Sequence, residues 1–247
     1  MVLIRRQKGV IAALALYGPT LFVLAHIPIP RIVRQAHVSD KSLHLLAYLI
    51  LTFLLWSAIR PLEPVRWRRA AVWCLLVFVA VYGVCDEGLQ HFVGGRSVDP
   101  KDFAADMVGA VAALVILTVL PFWPASVTIA GATIYTLAVF TRANLMALLP
   151  VTMSAFHFAT HAVFTLLWMG YVHQSLSPRR DGRLWWIVSI SLPVTLVLVT
   201  KASAMISGKA FEGWDVVAAL AGILAAVAVV SIAVTFRPRG GRAGASM

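Results

Sequence analysis

The sequence predicts an all-α fold, a polytopic transmembrane helical bundle of about eight spanning helices. Composition is the first reason: 60% of the 247 residues are hydrophobic and only 13% are charged, whereas a soluble domain carries about 25% charge. Mean hydropathy is +0.87. The second reason is that runs of about 20 apolar residues recur, each long enough to cross a bilayer as a helix. The third excludes a membrane barrel, whose strands would alternate apolar and polar residues over roughly ten positions.

The spanning segments are read as residues 10–26, 41–59, 70–90, 100–121, 124–141, 150–173, 184–202 and 214–236. Arg5, Arg6 and Lys8 followed by Val10–Ala25 imitate a cleavable signal peptide, but the segment is read as a retained first helix because a later spanning segment repeats it. Pro28, Pro30, Pro61, Pro64, Pro121, Pro124 and Pro178 fall in connections, while Pro19 and Pro193 lie inside helices and are expected to kink them. Cys74 and Cys85 share one helix about 16 Å apart along its axis, too far for a disulfide. Residues 237–247 are basic and glycine-rich and are expected to form a disordered tail.

Charge sets the expected orientation. With the amino terminus inside, thirteen of the 21 Lys and Arg residues face the cytoplasm, among them Arg60, Arg66, Arg68, Arg69, Arg179, Arg180 and Arg183. Only Glu63 and Asp181 among the acids join them. An even number of spans returns the carboxy terminus to the same side. The formal charge of +11 therefore reads as loop anchoring. No basic stretch is interleaved with stacking aromatics as a single-strand nucleic-acid binder requires, so no nucleic-acid partner is expected.

An internal repeat underlies the bundle. A shift of 113 places His44 on His157, Gly95 on Gly208, Asp102 on Asp215 and Gly109 on Gly222. It also sets Val10–Ala25 on Trp123–Ala138. Residues 1–121 and 122–236 are thus expected to be two parallel four-helix halves. The second is degenerate: Asp86, Glu87, Gln90 and Asp106 become Val199, Thr200, Ser203 and Ala219.

Val84–Gly109 holds half of the ten acidic residues, and ionisable groups beside membrane-length segments are costly unless used. Asp86 or Glu87 can meet Gln90 across one turn; because adjacent helical positions diverge, at most one acid is expected to line a cleft with the next helix. Asp99-Pro100 reads as an N-cap followed by proline at the first helical position, with Asp102 placed to complete a capping box. Asp102, Asp106, Gly109 and Ala113 form one stripe, and Asp106 lies a full turn past any capping role. On the preceding segment Lys41, His44 and Tyr48 share a face. Lys41 can snorkel and His44 can be a satisfied interior group, or both can serve the cleft. Arg96, in a Gly-Gly-Arg loop, is suited to phosphate or carboxylate. So many carboxylates in a partly buried cleft call for protonation, for pairing with Lys41 and His44, or for a metal or cationic ligand, and the sequence leaves all three open. His157 and His161 have the spacing of a helical metal pair, but without a third ligand nearby they read as structural.

Asp40-Lys41-x-x-His44-x-x-x-Tyr48, Asp86-Glu87-x-x-Gln90, Gly95-Arg96-x-x-Asp99-x-x-Asp102 and Asp106-x-x-Gly109 together resemble the VanZ-like family. These are small bacterial membrane proteins named for a teicoplanin-resistance protein. The resemblance covers about residues 10–120 and departs at Asp106, where the family usually has Asn. It implies a cell-envelope role in the bacterial plasma membrane, with glycopeptide or lipopeptide tolerance in some members, and it names no reaction.

The expected function is an outward-facing charged cleft that binds or acts on an anionic lipid or lipid-linked envelope headgroup. Lys41, Tyr48, Gln90 and Arg96 would bind it, and His44, Asp86, Glu87, Asp102 and Asp106 would supply any acid–base chemistry. The alternatives are a proton-coupled carrier, suggested by the repeat, and a non-catalytic membrane subunit whose loops dock a partner.

Overall fold

The computed structural model describes residues 5–26, 40–61, 63–93, 99–140, 150–175, 182–208 and 213–235. Among these residues there are eight helices and no strand: α1 (Arg5–His26), α2 (Asp40–Ile59), α3 (Ala70–Gln90), α4 (Pro100–Val119), α5 (Phe122–Phe140), α6 (Pro150–Ser175), α7 (Gly182–Ile206) and α8 (Gly213–Thr235). Each expected span meets a helix whose ends agree within a few residues. Seven are long and apolar enough to cross a membrane. The exception is α6, whose apolar run is interrupted by His157 and His161. Pro19 and Pro193 lie inside α1 and α7. Both cysteines are free and exposed. The expected tail 237–247, the 27–39 connection and the loop carrying Arg96 lie outside the described residues.

The chain divides into two compact units, Met1–Pro150 with Ala202–Lys209, and Val151–Lys201 with Ala210–Met247. In the first, α2 is the central helix: it packs most extensively on α4 and also touches α1, α3 and α5. Its Tyr48, Leu49, Phe53 and Trp56 meet Val72, Leu75 and Val79 of α3 and Ala110, Ala113 and Leu114 of α4 in one core. Trp73, Val77, Phe78, Val81 and Val84 lie on the opposite, exposed side of α3. In water such a stripe would be an interaction patch; on a membrane helix it is the surface that lipid covers.

The α2–α4 crossing depends on Gly109. A Cβ there would overlap the Leu45 carbonyl oxygen and lie 3.0 Å from the Leu49 nitrogen. The missing side chain lets the two backbones touch, as small residues do between membrane helices. In the second unit Gly222 of α8 stands against α6 in the same way: its Cβ would overlap the Phe158 carbonyl oxygen and lie 3.2 Å from the Ala162 nitrogen.

The α2–α3 connection closes one end of the first unit. The Val65 N–H donates to the Leu117 carbonyl at 3.2 Å. Indole N–H groups of Trp56 and Trp67 donate to the Glu63 carbonyl (3.2 Å) and the Thr118 hydroxyl (3.0 Å). Glu63 is paired with Arg60 and Arg69. Helix α1 is tied on by Gln7 Nε2, which donates to the Ala58 carbonyl at 2.8 Å, and by the Tyr17 hydroxyl, which donates to the Ala47 carbonyl at 3.0 Å.

Gly109→Ala is expected to cost about 1–3 kcal/mol, because it overpacks a backbone contact that has no flexible side chain to yield. Gly18→Ala, which meets nothing within 4 Å, is the control. Thermal unfolding in detergent should show a lowered midpoint for Gly109→Ala and Gly222→Ala and little change for Gly18→Ala.

Candidate functional site

The site forms at the end of the first unit where α1 and α3 finish and α2 and α4 begin. Each of these helices delivers polar residues there for a local reason. Helix α4 starts at Pro100, which fits the first helical position because its missing N–H would have no intrahelical partner. Asp99 caps it, accepting the Lys101 N–H at 2.9 Å. Asp102 does not complete the expected capping box. The Asp99 N–H donates to Glu87 Oε2 at 3.3 Å instead, which ties the start of α4 to the end of α3 and leaves Asp102 for Lys41.

At the mouth, Lys41 Nζ lies 3.2 Å from Asp99 Oδ2 and 3.6 Å from Asp102 Oδ1. Lys41 is 48% exposed, while Asp102 is buried. The Lys101 N–H and then the Lys41 ammonium hold the Asp99 carboxyl below the ordinary carboxylate range. Asp99 therefore stays ionised at neutral pH, and the mouth keeps its mixed charge.

At the floor, His44 Nδ1 and Asp106 Oδ1 are 2.9 Å apart, with residue exposures of 9% and 0%. Against an ionised Asp106, Nδ1 carries the proton and donates it to the carboxylate. One potential ligand atom each of His44, Glu87 and Asp106 lies within 4.8 Å of the other two. Glu87 also belongs to the mouth through its bond to Asp99. Tyr48 sits one turn below His44, its ring 6.0 Å from that of Tyr82, with Asp106 and Asp86 in electrostatic range of its hydroxyl. Oδ2 of Asp106, Oε1 of Glu87 and the Tyr48 hydroxyl are buried without a hydrogen-bond partner. Folded proteins leave few such atoms.

Asp86 and Glu87 diverge, as neighbours on a helix must. Glu87 turns toward α2 and α4, while Asp86 accepts from Gln90 Nε2 at 2.8 Å and lies 3.9 Å from His26 Nδ1. Both acids are buried.

The structure thus brings Lys41, His44, Tyr48, Asp86, Glu87, Gln90, Asp102 and Asp106 to one end of four helices. Arg96 lies outside the described residues. Two participants escaped the sequence reading. His26 ends α1 immediately after the run that imitates a signal peptide; its signal is an ionisable side chain at the end of an otherwise apolar segment. Gly83 was overlooked as one glycine among many. A Cβ there would stand 3.3 Å from the Phe103 ring and 3.5 Å from Asp106 Oδ2, so the glycine keeps room beside that oxygen.

In the second unit His157 Nε2 lies 4.0 Å from Asp215 Oδ2, both buried. His161 Nδ1–H donates to the His157 carbonyl at 2.9 Å. That backbone bond satisfies one ring nitrogen of His161.

A family model, VanZ/LLP1, matches residues 19–123. No curated protein matches the chain, and no solved structure does. The matched segment runs from the middle of α1 to the start of α5 and contains every residue of the cluster just described. Among the described residues seven helices, within and beyond that segment, are long and apolar enough to cross a membrane. Residues 19–123 are therefore a VanZ-like segment in a multi-pass membrane protein.

Proposed function

We propose that the first unit binds an anionic lipid or lipid-linked envelope headgroup at the open end of α1–α4, and that the buried pair beneath the mouth serves acid–base chemistry on it. The observation that carries this reading is the polar gradient along one bundle end. Half-exposed Lys41 stands at the start of a membrane-length helix, with Asp99 and Asp102 against it and the enclosed His44–Asp106 pair one turn deeper. A headgroup sits at that depth while its acyl chains remain among the exposed apolar side chains of α3. The amino-terminal ends of α2 and α4 open toward the same mouth, and their partial positive charge favours phosphate or carboxylate. Lys41, with Arg96 from the adjoining loop, would hold that anion. His44, oriented by Asp106, has the form of a general base positioned by a carboxylate.

The charge distribution along the sequence supports a bacterial plasma-membrane protein with both termini cytoplasmic and this mouth facing outward. It also fits a role in envelope chemistry, including tolerance of glycopeptides or lipopeptides.

The two halves also read as a duplication, residues 1–121 and 122–236. The close approaches at Gly109 and Gly222 involve partners that are themselves 113 positions apart, Leu45 with Phe158 and Leu49 with Ala162. The buried His157–Asp215 pair stands where the shift carries His44 and Asp102. This parallel favours a second reading, a carrier built from repeats. Loss of the Asp106 counterpart to Ala219 argues that the second copy kept its packing and lost the chemistry, which ranks the carrier below the headgroup site.

Binding of anionic and zwitterionic lipids to the purified protein in nanodiscs tests the reading. Lys41→Ala combined with Arg96→Ala should weaken anionic-lipid binding by about tenfold, equivalent to 1.4 kcal/mol, and more so at low salt. Unchanged binding would remove the proposal. Proton-coupled uptake into proteoliposomes, abolished by Asp86→Asn or Asp106→Asn, would instead establish the carrier. Asp106→Ala should abolish any envelope phenotype on glycopeptide challenge while the protein still inserts and folds.

A further inference from the structure

We infer that His44, Glu87 and Asp106 form a binding site for one divalent transition-metal ion of the zinc or manganese kind. The three residues come from three different helices, α2, α3 and α4, which is why no spacing in the sequence announces them.

Geometry is the first support. Metal–ligand bonds of about 2.0–2.1 Å put neighbouring ligand atoms roughly 2.9–3.4 Å apart. His44 Nδ1 and Asp106 Oδ1 already stand 2.9 Å apart, and no pair among the three potential ligand atoms exceeds 4.8 Å. Side-chain rotation of about an ångström closes the set around an ion, with the metal replacing the proton now shared by the imidazole and the carboxylate.

Charge is the second. Two carboxylates and an imidazole are buried together inside helices of membrane length. The Lys41 ammonium is spent at the mouth on Asp99 and Asp102. Paired negative charges are expensive in a low-dielectric interior, and a dication neutralises both at once.

The third support is independent of the cluster's acidity. The Tyr48 hydroxyl, one turn along α2 from His44, is buried and has no hydrogen-bond partner. A buried hydroxyl donor one turn from His44 is suited to a metal-bound water or a phosphate oxygen at the remaining position. Oδ2 of Asp106 and Oε1 of Glu87 are likewise buried and unsatisfied, which leaves each carboxylate an oxygen for coordination. Imidazole suits zinc and carboxylate suits manganese, whereas copper(I) and iron–sulfur clusters call for thiolate. Both cysteines are exposed, and neither belongs to the cluster.

The metal site does not require the headgroup reading. An ion here would offer positive charge to a phosphate entering past Lys41, but the ion binds whether or not a lipid does.

The test uses the full-length protein, purified in detergent, stripped with a chelator and dialysed against Zn²⁺ and separately against Mn²⁺. Inductively coupled plasma mass spectrometry counts the ions retained. One ion per chain of at least one metal is expected in the wild type and in a Cys74→Ser/Cys85→Ser variant. Glu87→Gln, which keeps the side chain's size, and His44→Ala should each weaken retention about tenfold or more, whereas His157→Ala should not. The bound metal should also raise the unfolding temperature of the wild type and leave that of Glu87→Gln unmoved. The assignment is overturned if the wild type retains neither ion stoichiometrically, or if Glu87→Gln and His44→Ala retain it equally well. A wild type that holds metal yet ignores anionic lipid would sink the headgroup reading and leave the metal site standing.

Discussion

A histidine and an aspartate bonded to each other inside apolar helices constrain everything around them. His44 and Asp106 sit at 2.9 Å with almost no exposed surface. Either group alone at that depth would be an uncompensated polar burden of several kcal/mol. Together they require α2 and α4 to keep one register, since a slip of a single residue on either helix turns one partner away by about 100°. The pair is therefore both a candidate chemical centre and a lock on the crossing that holds it.

The crossing itself is made possible one turn farther along. Gly109 follows Asp106 by three positions on the same face of α4, and its missing side chain lets the α4 backbone rest on Leu45 and Leu49. Close helix contact at the glycine brings Asp106 within reach of His44. On the other side, Glu87 accepts the Asp99 N–H and so pins α3 to the start of α4. Packing, capping and the polar cluster are thus parts of one arrangement. A substitution at Gly109 reaches the site through the backbone without touching it.

Much of this was legible in the sequence. Apolar runs set the helices because a bilayer leaves the backbone few alternatives. The cap at Asp99 followed from Asp-Pro, and the inward stripe of Asp102, Asp106 and Gly109 followed from helical period. What the sequence withheld depends on neighbours from other helices. Asp102 was read as a capping partner because its local spacing allows it; Lys41, far away in the chain, claims it instead. At most one of the adjacent acids Asp86 and Glu87 was expected to line a cleft with α4; both are buried, and α1 supplies His26 beside Asp86. Convergence of His44, Glu87 and Asp106 has no local signature, since each is the lone contribution of its helix. Helix α6 shows the converse: its histidines interrupt the apolar run, although at 26 residues it is long enough to span.

A double-mutant cycle on His44 and Asp106, read by equilibrium unfolding in detergent, goes most directly to the claim on which the rest depends. Direct contact in a buried setting predicts that His44→Ala and Asp106→Ala are strongly non-additive, with a coupling of about 1–3 kcal/mol. Additive losses, within about 0.5 kcal/mol, would mean that the two side chains do not meet and would contradict the account.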